Sequence, residues 1–297
     1  MPITIAAAQV HQLRALTGAG VMDCKRALEA AAGDISVAAS AMREAGQINA
    51  EKKAGRIAAE GLVCIASNPG CSVMLEINCE TDFVSRDDSF KQFVTAVTQL
   101  AVNRRVESVA SLLTEVLSAT EQSVESTRQD LVAKLGENIQ IRRLVLMWAK
   151  AGTSLGSYVH MGRIGAIVEL QGGDEELAKD LALQIIANNP LVISSEDVTN
   201  EMLAREQEIF TAQAQASGKP QAVIDKMIEG RIKKFLDEVS LLGQSFIKNE
   251  TISINELLEG ARARVIKFVR YAVGDGIEKS TEDFAEAVMA AQAKAAP

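Results

Sequence analysis

Residues able to do covalent or metal chemistry are sparse in this chain. Only two histidines occur, His11 and His160, and neither stands in a His-x-x-x-His or Cys/His cluster of the kind that ligates zinc. The four cysteines, Cys24, Cys64, Cys71 and Cys79, form no Cys-x-x-Cys pair and read as small hydrophobes kept as thiols. Gly18-Ala19-Gly20 lacks both a following Gly-Lys-Ser/Thr and a preceding strand, so it reads as a helix-breaking turn rather than a phosphate or dinucleotide loop. No nucleophile elbow of the Gly-x-Ser-x-Gly type is assigned. Glu76, Glu80 and Asp82 could serve as an acid and base pair, though any acidic protein offers many such pairings. No metal, cofactor or covalent catalysis is expected, and the chain reads as one that acts by binding.

The segment best suited to binding is Asn78-Cys79-Glu80-Thr81-Asp82-Phe83-Val84-Ser85-Arg86-Asp87-Asp88. It leaves an apolar strand and precedes a helical pattern, so it reads as a loop, where a large aromatic is out of place. Phe83 then has two readings. Its ring folds beneath the following helix with Asp82 as a spare cap, or the pair faces outward as a wedge, the ring filling a pocket and the carboxylate disturbing a cation site in a partner. Residue types alone leave both open.

The elements that would hold this segment follow from periodicity. Val10, Leu13 and Leu16, then 22–32, then a stretch capped by Asp34 that runs through Met42 and stops near Gly46, give three short helices. The charged, Ala-rich stretch at 49–60 reads as a helical or flexible tether leading away from them. Leu62-Val63-Cys64-Ile65 and Val73-Met74-Leu75-Glu76-Ile77 flank Asn68-Pro69-Gly70 as a hairpin. Asp87-Asp88-Ser89 then caps a helix carrying Phe90, Phe93, Val94, Val97 and Leu100. The same order recurs with Ser157-Tyr158-Val159-His160, Ala166-Ile167-Val168-Glu169-Leu170 and a helix opened by Asp174, which suggests a duplicated α+β unit. Between the copies lie a helical stretch at 121–135 and a strand from Ile139 to Leu146. Helical patterns at 199–217 and 223–241, joined by Gly218-Lys219-Pro220, form a helical hairpin. A strand at 265–273 and a terminal helix at 281–293 complete the pattern.

With 297 residues, 47% of them hydrophobic, the chain can bury a sizeable core, and a formal net charge of −8 with acids and bases interleaved argues against a nucleic-acid partner. No apolar run reaches the ~20 residues of a membrane span, and 1–4 opens no secretory signal, so a cytoplasmic location is expected.

Thr81-Asp82-Phe83-Val84 after Asn78-Cys79, together with Leu13-Arg14-Ala15-Leu16-Thr17-Gly18-Ala19-Gly20-Val21-Met22-Asp23-Cys24-Lys25-Arg26-Ala27-Leu28, resembles the two signatures of the elongation factor Ts family. Lys53-Ala54-Gly55-Arg56, Gly136-Glu137-Asn138-Ile139, Ser217-Gly218-Lys219-Pro220 and Val273-Gly274-Asp275-Gly276 add matches in family order. The resemblance implies an α+β fold: an N-terminal three-helix ubiquitin-associated-like module (1–54), a core of two related α+β subdomains (55–143; 144–198 with 242–280), a protruding helical hairpin for self-association (199–241) and a C-terminal helical module (281–297). It further implies guanine-nucleotide exchange on elongation factor Tu, in its GDP-bound and nucleotide-free states. Thr81, Asp82, Phe83 and Val84 would dislocate the partner's magnesium, and Arg14, Val21, Met22 and His160 would dock. Val21 stands where the family often has Met, and Val159-His160-Met161-Gly162 shifts the glycine after the histidine by one. An adaptor without exchange activity is the rival reading.

Overall fold

The computed structural model describes residues 5–216 and 220–278, leaving aside the side chains of 47 and 49. Three helices come first: α1 (Ala7–Thr17), α2 (Val21–Ala30) and α3 (Ile35–Lys53). Gly18, at φ +69°, ends α1 by donating its N–H to the Arg14 carbonyl, a conformation that glycine adopts without strain. Asp34 opens α3 by accepting from the amides of Ser36 and Val37 at 2.8 and 3.0 Å. Leu13, Cys24, Leu28 and Ala38 form the small core among them.

A first sheet unit follows: β1 (Glu60–Asn68), β2 (Cys71–Cys79), α4 (Asp82–Arg86), α5 (Asp88–Arg104), α6 (Val109–Thr114), the short pair β3 (Val116–Leu117) and β4 (Gln122–Ser123), α7 (Val124–Leu135) and β5 (Ile139–Trp148). The sheet order is β1-β2-β5, all antiparallel. Central β2 is buried along its whole length. Val73, Leu75, Ile77 and Cys79 face α5, whose Phe90, Phe93, Val94 and Val97 close that core, as strand alternation and helical spacing require. The expected stop of α3 near Gly46 is corrected here. The helix continues to Lys53 because it lies along α7, where a Cβ at Gly46 would be 3.3 Å from that of Ala133 and where Ala50 is buried. That packing outweighs the ~1 kcal/mol a mid-helix glycine costs.

The second unit comprises β6 (Thr153–His160), β7 (Ile164–Gln171), α8 (Glu175–Asn188), α9 (Asn200–Gln215), α10 (Gln221–Val239), β8 (Ser245–Phe246), β9 (Asn249–Ser253), α11 (Ile254–Gly260) and β10 (Arg264–Ala272). Its sheet order, β10-β7-β6, repeats the plan of the first: a hairpin, an intervening helix, and a later strand beside the hairpin's second strand. Asp174 caps α8 through the Leu177 amide at 2.8 Å. α9 and α10 pack on each other, with Phe210 and Phe235 edge to face at 6.4 Å. Their root is held where the Leu191 amide donates to Val239 and that of Leu241 to Val192. Residue 217 at the end of the first expected helix, residues 218 and 219 of the expected turn, and the expected terminal helix at 281–293 lie outside the described residues.

The two sheets meet face to face through Val63, Met74, Met147 and Ile167. Gly165 permits the approach, since a Cβ there would fall 2.7 Å from Val63 Cγ1. Beside this seam Glu76 is fully buried. A β-bulge at Arg142 turns two successive arginines toward it. Arg142 donates at 3.0 Å and Arg143 at 2.5 Å, and the Gly274 amide adds 2.8 Å from beyond β10. Arg143 also lies 4.0 Å over the Tyr271 ring and donates to the Ala272 carbonyl. One carboxylate thus fastens β2 and β5 to β10. Burial would raise its pKa, but the Gly274 amide, Asn78 and the two arginines outweigh that and hold it below the ordinary carboxylate value.

Candidate functional site

β2 keeps partners on both sides to its last residue, Cys79 pairing with Glu60 and with Ile139. One step further the two chains exchange side-chain bonds. Glu80 accepts from the Asn138 amide at 2.6 Å, while Glu137 accepts from the Thr81 amide at 3.0 Å and from its hydroxyl at 2.6 Å. Thr81 in turn caps α4, its Oγ1 accepting from the Val84 amide at 3.4 Å. The expected loop is therefore a single helical turn, because Thr81 supplies a start and Asp87 supplies both its end and the cap of α5. Burial pushes the Asp87 pKa up, but the Phe90 and Ser89 amides prevail and hold it low.

A turn this short must direct its residues to opposite sides. Val84 and Ser85 point inward, at 8% and 6% exposure, whereas the Phe83 ring is 80% exposed. The reading that folds Phe83 into the core is thereby overturned. Leaving such a ring in water forgoes about 2 kcal/mol of burial. Asp82 is half-exposed and accepts from Arg86 at 2.8 Å. Val84, expected among the contact residues, instead anchors α4 in the first core, and Thr81 is half-buried and engaged by Glu137.

His160 sits at the β6–β7 turn and is exposed. Met161 and Gly162 form that turn with φ of +50° and +69°, the left-handed pair that tight hairpins use. Met161 is 82% exposed and was not singled out in the sequence. Its signal was a methionine where such turns favour Asn, Asp or Gly. The turn is fixed to β1 by the Val63 amide donating to the Gly162 carbonyl at 2.8 Å and by Arg163 donating to Glu60 at 2.6 Å. Because Glu60 pairs with Cys79, His160, Met161 and Phe83 share one end of the molecule. Arg14, Val21 and Met22 are also exposed, and so is Leu16, which the sequence marked only as an apolar position of the first helix. The α1–α2 turn lies near the start of α5, since Lys134 passes 3.5 Å from the Cβ position of Gly18 and donates to Ser89 at 2.6 Å.

The carboxylates weighed as an acid and base pair do not converge. Glu76 is locked among arginines, Glu80 on Asn138, and Asp82 on Arg86. Gly152-Thr153-Ser154-Leu155-Gly156 does spell Gly-x-Ser-x-Gly, which corrects the absence of such a pattern from the sequence reading. Ser154 lies within β6 opposite Leu170, not on a strand-to-helix turn as a nucleophile elbow requires. Among the described residues no group of three or more His, Cys, Asp or Glu is placed to hold a metal, and no helix is long and apolar enough to cross a membrane.

These features describe an α+β protein with apolar side chains displayed on a braced end. The family model "Elongation factor TS" matches residues 80–275. Elongation factor Ts of Thioalkalivibrio sulfidiphilus (strain HL-EbGR7) is 49% identical over 296 residues, 99% of this chain and 100% of that protein. The proteins of that name from Legionella pneumophila (strain Lens) and Francisella tularensis subsp. novicida (strain U112) are 52% and 50% identical, covering 97% and 96% of this chain and 98% and 97% of theirs. The chain belongs to the elongation factor Ts family, and with it to the factors of translation elongation.

Proposed function

We propose that this protein is a guanine-nucleotide exchange factor for elongation factor Tu and acts by binding, without covalent catalysis. The observation that carries the reading is a phenylalanine held in solvent on a braced helical turn beside a carboxylate. In this account Arg14, Val21 and Met22 dock the N-terminal module (1–54), with His160 contributing from the core (55–143; 144–198 with 242–280). Phe83 enters an apolar pocket of the partner, and Asp82 competes for the groups that hold its magnesium. Thr81 and Val84 serve by fixing the turn. Magnesium neutralises the diphosphate, so its displacement leaves the GDP oxygens poorly compensated and lowers GDP affinity. Factor and nucleotide weaken each other by the same factor, since the coupling free energy is reciprocal. The hairpin at 199–241 is assigned to self-association and 281–297 to a further contact with the partner. No cofactor is required.

Phe83→Ala tests this directly by stopped-flow release of a fluorescent GDP from elongation factor Tu. Loss of a central aromatic anchor should slow release at least ~10-fold. Since the ring is exposed, the melting temperature should move by no more than ~2 °C. Native release with a markedly lowered melting temperature would defeat the reading, and binding with an unchanged GDP off-rate in the wild-type protein would favour an adaptor.

A further inference from the structure

We infer that Glu137 is a positioning residue for exchange, setting the direction in which α4 presents Phe83; the inference rests on the function proposed above. Residues 82–86 make a helix of 5 residues, far below the length at which a helix holds itself in water. Its orientation therefore comes from the inward seat of Val84 and Ser85 together with the bonds at its two ends. The C-terminal end is continuous with α5 through Asp87. At the other end the cap is Thr81, and both polar groups of Thr81 that can donate are engaged by Glu137, the amide at 3.0 Å and the hydroxyl at 2.6 Å.

The chemistry of this grip depends on a carboxylate. An ionised Glu is acceptor-only, so it obliges the Thr81 hydroxyl to donate toward it and leaves an oxygen lone pair for the Val84 amide, 3.4 Å away. The inward Val84 and the outward Phe83 are consecutive, so a rotation of this turn would exchange which of them meets the core. Glu137 is itself fixed, because the next residue, Asn138, gives its amide to Glu80 and its side-chain nitrogen to the carbonyls of Arg56 and Ala54 at 2.8 and 3.3 Å. The result is a crossed pair of carboxylate-to-amide bonds one step beyond the last ladder pair, Cys79 with Ile139. It joins the Phe83 turn to the segment that follows α3.

The test compares Glu137→Ala, Glu137→Gln, Thr81→Val and Phe83→Ala with the wild-type full-length chain, measuring the limiting rate of GDP release at saturating factor and the half-saturating concentration. Glu137→Ala should lower the limiting rate ~10-fold or more while the half-saturating concentration shifts less than ~3-fold, because docking surfaces elsewhere are untouched. Glu137→Gln keeps one acceptor and should recover part of the rate. Thr81→Val should match Glu137→Ala, and the double variant should lose no more than either alone, as members of one unit do. A native limiting rate for Glu137→Ala, in an assay where Phe83→Ala is slow, overturns the inference. So does a fall confined to melting temperature in Glu137→Ala with Thr81→Val exchanging normally. A native rate for Phe83→Ala instead overturns the exchange reading itself.

Discussion

Cys79 shows how far the end of β2 is tuned by its surroundings. Burial, and after it the carboxylates of Glu137 and Glu60, push its thiol up to about 12, so almost none is thiolate near neutrality, and thiolate is the reactive form. Cys24 and Cys71 are buried as well, and Cys64 is the partly exposed one. Brief treatment of the native protein with iodoacetamide at pH 8, read by peptide mass spectrometry, should modify Cys64 and spare Cys79, with all four labelled after unfolding; prompt native labelling of Cys79 would contradict this account. The residue scale also marks where sequence reading stops. Asp82 and Phe83 stand out because an aromatic beside an acid is odd between a strand and a helix. Which way the ring faces depends on Glu137, 56 positions after the Thr81 it holds, and no local pattern encodes that partner. Val84 illustrates the same limit, since neighbours on one turn divide between core and solvent according to how the turn is held.

The elements with strong periodicity were legible: β1, β2, β5, β7 and β10, and the amphipathic helices α5 and α8. Those missed were too short to show a period, as with α4, α6, α11 and the small pairs β3–β4 and β8–β9. Long-range packing hid the rest. α3 passes through Gly46 because a neighbouring helix wants a flat surface there, a demand invisible from within the helix. Gly156 on β6 belongs to the same class. A Cβ at that position would come within 2.3 Å of the backbone carbonyl of Ala178 in α8, so small residues on both sides let the helix ride close to the strand. Backbone cannot yield as a flexible side chain does, and Gly156→Ala should cost about 3 kcal/mol and lower the melting temperature by roughly 6 to 12 °C in a thermal scan. An unchanged melting temperature would mean that α8 does not depend on this approach.

At the scale of the molecule, two sheets lie back to back with helices on their outer faces, and Glu76 is the charged tie between them. Its pKa is lowered by folding, so the stability it contributes is complete above its ordinary value of 4.5 and drains away as pH falls below that. A pH series of thermal melts should show the wild type losing stability through this acid range. Glu76→Gln leaves Arg142 and Arg143 without their carboxylate, so it should begin about 3 kcal/mol lower at neutral pH and decline less on acidification; parallel curves would remove Glu76 from that role. The unbroken course of α3 has its own consequence. Its 19 residues, at about 1.5 Å each, make a rod of roughly 28 Å whose latter half is seated on α7. A tilt of about 5° at that seat, acting over the ~20 Å to the opposite tip, sweeps that tip through roughly 2 Å, so the small helical bundle is geared to the posture of the larger body rather than hung from it by a string.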